Sequence, residues 1–370
     1  MSKAAQKESV KTVAVAMSGG VDSSVAAVLL KEQGYRVIGI TMKLWDYAEV
    51  GGNINHESGC CSMDSINDAR TVCSSVNIPH YLFNLSEQFQ QQVIQDFINE
   101  YIAGRTPNPC VLCNSRIKWK SMFEGAQKLG ADFMATGHYA RVFYNSVNER
   151  YELHRAADTR KDQSYALWSL QQDDLAHTIF PLGQLTKPQV RDLARKYKLP
   201  TAEKKESQEI CFIPDDNYHR LIKDKHLEIN RGEMVDTNGT LLGSHQGYPF
   251  YTIGQRRGLG GGFREPMYVV DIDAIQNRIT IGNENALYAR ELLVEQVNWL
   301  SRAAPDQPLA AMVKIRYNDS FHAGTLYPCA DREIRVRMND PVRSVTPGQS
   351  AVFYNDDIVL GGGIIKTKVI

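Results

Sequence analysis

The sequence has no surplus of charge of either sign. Lysine plus arginine number 42, aspartate plus glutamate number 42, and the formal net charge is zero across 370 residues. That balance excludes a protein that grips nucleic acid by bulk charge, though not one with a local basic surface. Long apolar runs are absent near the N-terminus. The first, Val13–Met17, is five residues, whereas a secretory signal needs a longer stretch and a spanning helix about 18–20 residues. Seven cysteines make an odd count in a long chain, which argues against a complete disulfide framework. The expectation is a cytoplasmic protein, away from membranes, with reduced thiols. The sequence does have enough apolar material, 43%, to build two or three cores at roughly 150 residues per domain.

The first third alternates short apolar runs with helical patterns. Strands are expected at Thr12–Met17, Tyr35–Met42, His80–Asn84 and Phe133–Thr136. Helices are expected at Asp22–Glu32, Ser65–Asn77, Glu87–Ala103 and Ser115–Leu129, followed by Asp174–Ile179 and Lys187–Tyr197. Strands alternating with helices imply a doubly wound parallel sheet, Rossmann-like, covered on both faces. From about residue 231 the pattern changes. Asn238-Gly239 between two apolar runs signals a hairpin, and Met267–Asp271 and Arg278–Ile281 flank another turn. Beyond 293, short strands recur at Ala310–Tyr317, His322–Tyr327, Glu333–Met338, Ser350–Tyr354 and Ile358–Ile365, as in a small antiparallel barrel or sandwich. The chain thus reads as an α/β domain over 1–222, a small central β-containing domain over 223–293, and a C-terminal antiparallel β-barrel over 294–370.

The segment Ser18-Gly19-Gly20-Val21-Asp22-Ser23-Ser24 joins the first strand to the first helix. Two glycines let the backbone turn tightly, and the amides and dipole of a helix N-terminus favour an anion. Ser18, Ser23 and Ser24 add hydroxyls. The loop has neither the Gly-Lys-Ser/Thr ending of a Walker loop nor the spacing of a dinucleotide binder. The bland alternative is a turn in which Asp22 or Ser23 caps the helix.

Cys110 and Cys113 form a CxxC after two prolines, in TPNPCVLCN. Asn114-Ser115 is expected to cap the next helix, and a thiol just ahead of a helix N-terminus is more acidic. Rival readings are structural zinc, which needs two more ligands, and disulfide exchange. Cys211, in ESQEICFIP, reads by default as a buried inert thiol. Cys60, Cys61, Cys73 and Cys329 read as partly buried spectators.

SGGVDSS resembles the PP-loop of the adenylating ATP pyrophosphatases. Together with NPCVLCN, ATGHYAR (135–141), KDQSY (161–165), SQEICFIP and GYPFYTIGQRRGLG (247–260), it resembles the bacterial tRNA-specific 2-thiouridylases in motif order, from residue 13 to about 362. The resemblance implies ATP-dependent thiolation of the wobble uridine in tRNAs with Lys, Glu and Gln type anticodons. Sulfur would come from a cysteine desulfurase or a relay protein. Ala16, Met17, Ser18, Gly19, Gly20, Val21, Asp22, Ser23, Met42 and Gly137 are implied to contact ATP, with Asp22 near Mg²⁺. Cys113 is implied as nucleophile and Cys211 as persulfide carrier. Many family members have aspartate in place of Cys110. This thiol is then open to three roles: acid or base, resolving thiol, or a ligand with Cys113 and Cys211 to an iron–sulfur cluster.

The same resemblance implies that Asn108, Pro109 and Cys110 touch the target base, and that His138, Lys161, Asp162, Gln163, Arg316, Tyr317 and Gln349 touch tRNA. From the residues themselves, Tyr248, Phe250 and Tyr251 interleaved with Gln255-Arg256-Arg257 suit base stacking and phosphate pairing. Arg332, Arg335 and Arg337 are expected to alternate along one strand face.

Overall fold

A computed structural model describes residues 10–45, 63–205, 210–213, 217–224 and 229–369. Cys60 and Cys61, and most of the segment ahead of Cys211, lie outside the described residues.

The N-terminal sheet contains β1 (Thr12–Ala16), β2 (Arg36–Lys43), β3 (His80–Asn84), β4 (Phe133–Ala135) and β7 (Thr178–Ile179), in the order β3-β2-β1-β4-β7. All of its pairings are parallel, which is why β1 and β2 are near-continuous apolar runs. Helix α1 (Val21–Glu32) packs against the sheet and is buried around most of its circumference, through Val25, Ala26, Ala27, Val28 and Leu30. Each fully buried Val or Leu side chain contributes about 1.5–3 kcal/mol. Helix α2 is Met63–Ser75. Helix α3 (residues 86–102) buries Phe89, Val93, Ile94, Phe97 and Ile98, the stripe its periodicity predicts.

Helix α4 spans residues 109–128, six residues earlier than the pattern suggests. Its start is set by Pro109, which fits the first helical position. The chain widens to π-helical turns over Cys113–Met122. The hairpin of β5 (Ala140–Asn145) and β6 (Arg150–Arg155) was not anticipated. Helix α5 (Gln172–Ala176) is shorter than expected, because Thr178 and Ile179 leave it to form β7. Helix α6 (Lys187–Lys196) begins with a reciprocal cap between Thr186 and Gln189. Helix α7 covers Tyr218–Asp224.

The central sheet holds β8 (Gly232–Val235), β9 (Leu241–His245), β10 (Tyr268–Asp273) and β11 (Arg278–Gly282) in the order β10-β11-β8-β9. The last sheet has β12 (Tyr288–Trp299), β13 (Leu309–Lys314), β14 (His322–Pro328), β15 (Ile334–Arg343), β16 (Ser350–Asn355) and β17 (Ile358–Val369). Six strands run β12-β15-β14-β13-β16-β17, and pairing of β12 with β17 closes them into a barrel. The β5–β6 hairpin joins the barrel at Ile358 opposite His154. This cross-domain pairing ties the α/β domain to the barrel.

Candidate functional site

Strand order reverses between β1 and β4, so their C-terminal ends open the crevice where doubly wound sheets take ligands. The glycine loop leaves β1 there. Gly19 has φ +67° and Gly20 is the extended N-cap of α1, which receives no side-chain cap bond. Asp22 and Ser23 therefore do not act as that cap. The Ser18 amide donates to Ser23 Oγ at 3.2 Å, and the Ser24 hydroxyl donates to the Gly20 carbonyl at 2.8 Å. Ser24 is fully buried, so its hydroxyl braces the loop and does not face an incoming anion.

The loop is held from two sides. A β-carbon at Gly19 would fall 2.2 Å from the Ser65 carbonyl oxygen. One at Gly137, just after β4, would fall 2.8 Å from the Ser23 nitrogen. We expect Gly19→Ala to lower the unfolding free energy by more than about 1–2 kcal/mol, the cost of a left-handed backbone alone. Gly20→Ala, at φ −100° and 3.4 Å from its nearest neighbour, loses less. Equal denaturation midpoints for the two variants would contradict this geometry.

Sequence reasoning missed Lys187. Its ammonium lies 2.8 Å from both Asp22 carboxylate oxygens, and the Tyr139 hydroxyl donates to Asp22 Oδ1 at 2.8 Å. The Lys187 side chain is 10% exposed. It arrives from the first turn of α6, where its backbone N–H donates to Asp158 Oδ2 at 3.0 Å. A buried cation thus stands beside a loop built for an anion. The one sequence signal was the Thr-Lys-Pro helix start.

From Gly137 the packing continues to α4. The His138 ring contacts Trp119 at 5.9 Å and Phe180 at 6.2 Å between centroids, and its Nδ1 pairs with Thr136 Oγ1 at 2.7 Å. Burial, with Lys118 as a second cause, pushes the His138 pKa well below the ordinary imidazole value. Burial also lowers those of His80, His219 and His245. Below an unfolded value of about 6.5 the unfolded chain takes up protons that these folded sites resist, so stability falls as pH drops through that point. We expect His138→Gln to flatten the dependence of the denaturation midpoint between pH 7 and 5.5. An unchanged slope would contradict the burial argument.

The thiols are carried by α4 and by the segment around Cys211. Asn108 is the N-cap, Cys110 is exposed near the helix N-terminus, and Cys113 is buried within the helix. The helix-terminal position expected for Cys113 belongs instead to Cys110. Asn114 is no cap: it donates to the Ala166 carbonyl at 2.8 Å. Phe212 wedges against Phe89 and Phe97 of α3 at 5.5 and 5.3 Å, and Cys211 packs against the core cluster that contains Cys113. Among the described residues no three His, Cys, Asp or Glu side chains gather as a metal-binding group. The structure therefore lends no support to the iron–sulfur ligand set expected of Cys110, Cys113 and Cys211. Cys73 is fully buried, and burial raises its pKa to about 11. Cys329 is exposed.

The remaining residues fall into two groups. The Tyr165 hydroxyl donates to Ser350 O at 2.9 Å and its ring meets Tyr317 at 6.1 Å; Gln349 donates to the carbonyls of Thr106 and Pro107. Arg316 Nη2 contacts Ile253 O, Ser344 O and Thr346 Oγ1. Gln349 thus binds the loop ahead of Cys110, and Arg316 braces the turn that carries Gln349. Asp162, by contrast, is buried and accepts from Ala156 N, Ser164 N and the Ser164 hydroxyl. Gln163 accepts from Tyr139 N. Lys161 is partly exposed beside them, and Met42, at the end of β2, is partly buried. Two surface expectations need correction. Phe250 and Tyr251 are buried and Tyr248 donates to Ile102 O, so these rings serve the core while Arg256 and Arg257 face out. Arg332 precedes β15 and binds Val297 O, leaving Arg335 and Arg337 on the exposed face.

These observations define the class: an α/β domain with an anion-receptive loop at its switch point, joined to two β modules. Family models agree. One described as "tRNA methyl transferase HUP domain" matches residues 11–215, a "PRC-barrel domain" matches 222–283, and an "Aminomethyltransferase beta-barrel domain" matches 289–365. The chain is 49% identical to tRNA-specific 2-thiouridylase MnmA of Salinibacter ruber, with 95% of this chain and 94% of that protein aligned. It is 48% identical to that of Carboxydothermus hydrogenoformans, over 97% and 98%. The chain belongs to the family of the tRNA-specific 2-thiouridylase MnmA.

Proposed function

We propose that this chain is an ATP-dependent sulfurtransferase that converts the wobble uridine of tRNA to 2-thiouridine. The observation that carries the reading is one continuous packing path. It runs from Asp22 and Ser23 through Gly137, His138 and Trp119 to α4, the helix that bears Cys110 and Cys113. The family model's description speaks of methyl transfer, but thiols on a helix linked by packing to the anion loop suit the thiolation named for the relatives.

The chemistry needs both halves. The uridine C2 carbonyl has a poor leaving group, and adenylation of its oxygen, with release of pyrophosphate, supplies a good one. The residues from Ala16 to Ser23, with Met42 and Gly137, hold the nucleotide, and Lys187 neutralises charge at its phosphates. Asp22 is a hard oxygen donor of the kind Mg²⁺ takes, and that ion would offset charge on the departing pyrophosphate. A persulfide on Cys211 attacks C2 and displaces AMP, leaving a Cys211–S–S–C2 linkage. The Cys113 thiolate then attacks the Cys211 sulfur, so that a Cys113–Cys211 disulfide forms and the sulfane sulfur stays on the base. An external dithiol resets the enzyme.

Asn108, Pro109 and Cys110 would meet the base after it leaves the anticodon stack. His138, Lys161, Asp162, Gln163, Arg316, Tyr317 and Gln349 are proposed to line the RNA path, some through the backbone they hold. Residues 1–222, 223–293 and 294–370 are the proposed domains. The proposed tRNAs have Lys, Glu and Gln type anticodons, and sulfur comes from a cysteine desulfurase or relay protein in the cytoplasm. Among the described residues, no helix is long and apolar enough to cross a membrane.

The test is a balance sheet of products. With tRNA, ATP, Mg²⁺ and a persulfide source, 2-thiouridine, AMP and pyrophosphate should appear in equal amounts. Thiolation without AMP, or AMP without thiolation, would refute the reading.

A further inference from the structure

The barrel reaches into the loop that precedes the thiols. The Gln349 side-chain amide donates to the carbonyls of Thr106 at 3.0 Å and Pro107 at 2.9 Å. Its two N–H groups match two successive acceptors that lie outside helix α4 and have no role in its ladder. The Thr106 amide donates to Pro347 O at 2.9 Å. Gly348 has φ +89°, and a β-carbon there would fall 2.7 Å from Thr106 O and 2.9 Å from Thr106 N. The two backbones are therefore in direct apposition.

The clamp is itself anchored. Gly348 N donates to Ile365 O at 2.9 Å, and Ile365 N donates to Gln349 O at 2.8 Å, tying the 346–349 turn to β17. Arg316 braces the same turn through Thr346 Oγ1 at 2.5 Å and Ser344 O at 3.1 Å, and reaches the central domain at Ile253 O, 3.1 Å away. Next along the chain come Asn108, the helix N-cap, Pro109 at the first turn, then Cys110.

We propose that Gln349 is a positioning residue: the barrel turn at 346–349 fixes the 106–110 loop and thereby sets the placement of the Cys110 and Cys113 thiols. This goes beyond a contact with RNA. The barrel, built from the far end of the chain, becomes part of the machinery that orients the reacting groups. A glutamine is required because a carboxylate in its place would face two carbonyl oxygens with no proton to offer. The catalytic part of the claim rests on the thiolation reading; the structural part does not.

The test uses Gln349→Met, which keeps volume and loses both hydrogen bonds, and Gln349→Glu, which reverses their polarity. Thermal melts establish that each variant folds, and either one suffices if the other does not. Site-resolved alkylation of Cys110 by iodoacetamide, followed by peptide mass analysis on the full chain without ATP or tRNA, should change at least fivefold in rate. For thiolation, kcat should fall at least tenfold while KM for tRNA and ATP each changes less than threefold. An unchanged Cys110 alkylation rate would overturn the clamp whatever the activity. A raised KM for tRNA with unchanged kcat would overturn the positioning role and leave Gln349 as an RNA contact. Should the wild type make no 2-thiouridine, the thiolation reading fails, and the alkylation result alone decides the clamp.

Discussion

Replacing Cys113 with serine is expected to stop release of 2-thiouridine, by on the order of 10³-fold or more, as loss of a nucleophile does elsewhere, while AMP formation in the first turnover persists. In the proposed order, adenylation and attack by the Cys211 persulfide both precede any use of Cys113, so the variant should halt at a Cys211–S–S–C2 linkage between protein and tRNA. That adduct should survive denaturation and collapse on addition of a small thiol, which takes over the attack on the Cys211 sulfur and frees thiolated tRNA. Cys113 is buried inside α4, and a serine is close to isosteric there, so the fold should hold. Cys211→Ser should form no adduct and no product. If Cys113→Ser turns over normally, Cys113 is not the second thiol.

The second large effect concerns Lys187. Replacing it with methionine should reduce adenylation by about 10²–10³-fold, the usual cost of losing one preorganised charge aimed at a developing anion. The cause is twofold. The cation at the phosphate loop disappears, and Asp22, whose two oxygens it holds at 2.8 Å, is left to repel the triphosphate. The double variant Asp22→Asn with Lys187→Met removes the uncompensated charge, so it should recover folding stability lost in the single variant but not the rate. Equilibrium binding of ATP, measured without tRNA, should weaken in Lys187→Met and be largely kept in Lys187→Arg. Unchanged ATP affinity and adenylation in Lys187→Met would show that the ion pair merely staples α6 to α1.

Local chemistry was readable in the sequence; long-range pairing was not. The glycine loop stood out because its small residues directly follow an apolar run, and α3 because Phe89, Val93, Ile94, Phe97 and Ile98 repeat at helical spacing. The start of α4 was obscured, because TPNPC reads equally as a stiff approach or as a proline opening a helix. The Lys187–Asp22 pair joins residues 165 apart, and no local pattern announces such a partner. The β5–β6 hairpin belongs to a sheet whose other strands come from the far end of the chain. Tyr248, Phe250 and Tyr251 looked like a stacking platform next to arginines, yet burial of apolar rings outweighed that role. The clamp of Gln349 on Thr106 and Pro107 depends on two carbonyls left outside a helix, which becomes visible once the helix boundary is known.

The central claim is that sulfur reaches an activated base through two thiols that end joined to each other. A single turnover with persulfide-loaded protein, ATP and tRNA, run without reductant and followed by peptide mapping, measures this directly. A disulfide-linked pair of peptides containing Cys113 and Cys211, formed in proportion to 2-thiouridine, is the predicted result. Thiolated tRNA alongside unlinked Cys113 and Cys211, or with either thiol bonded elsewhere, would contradict it.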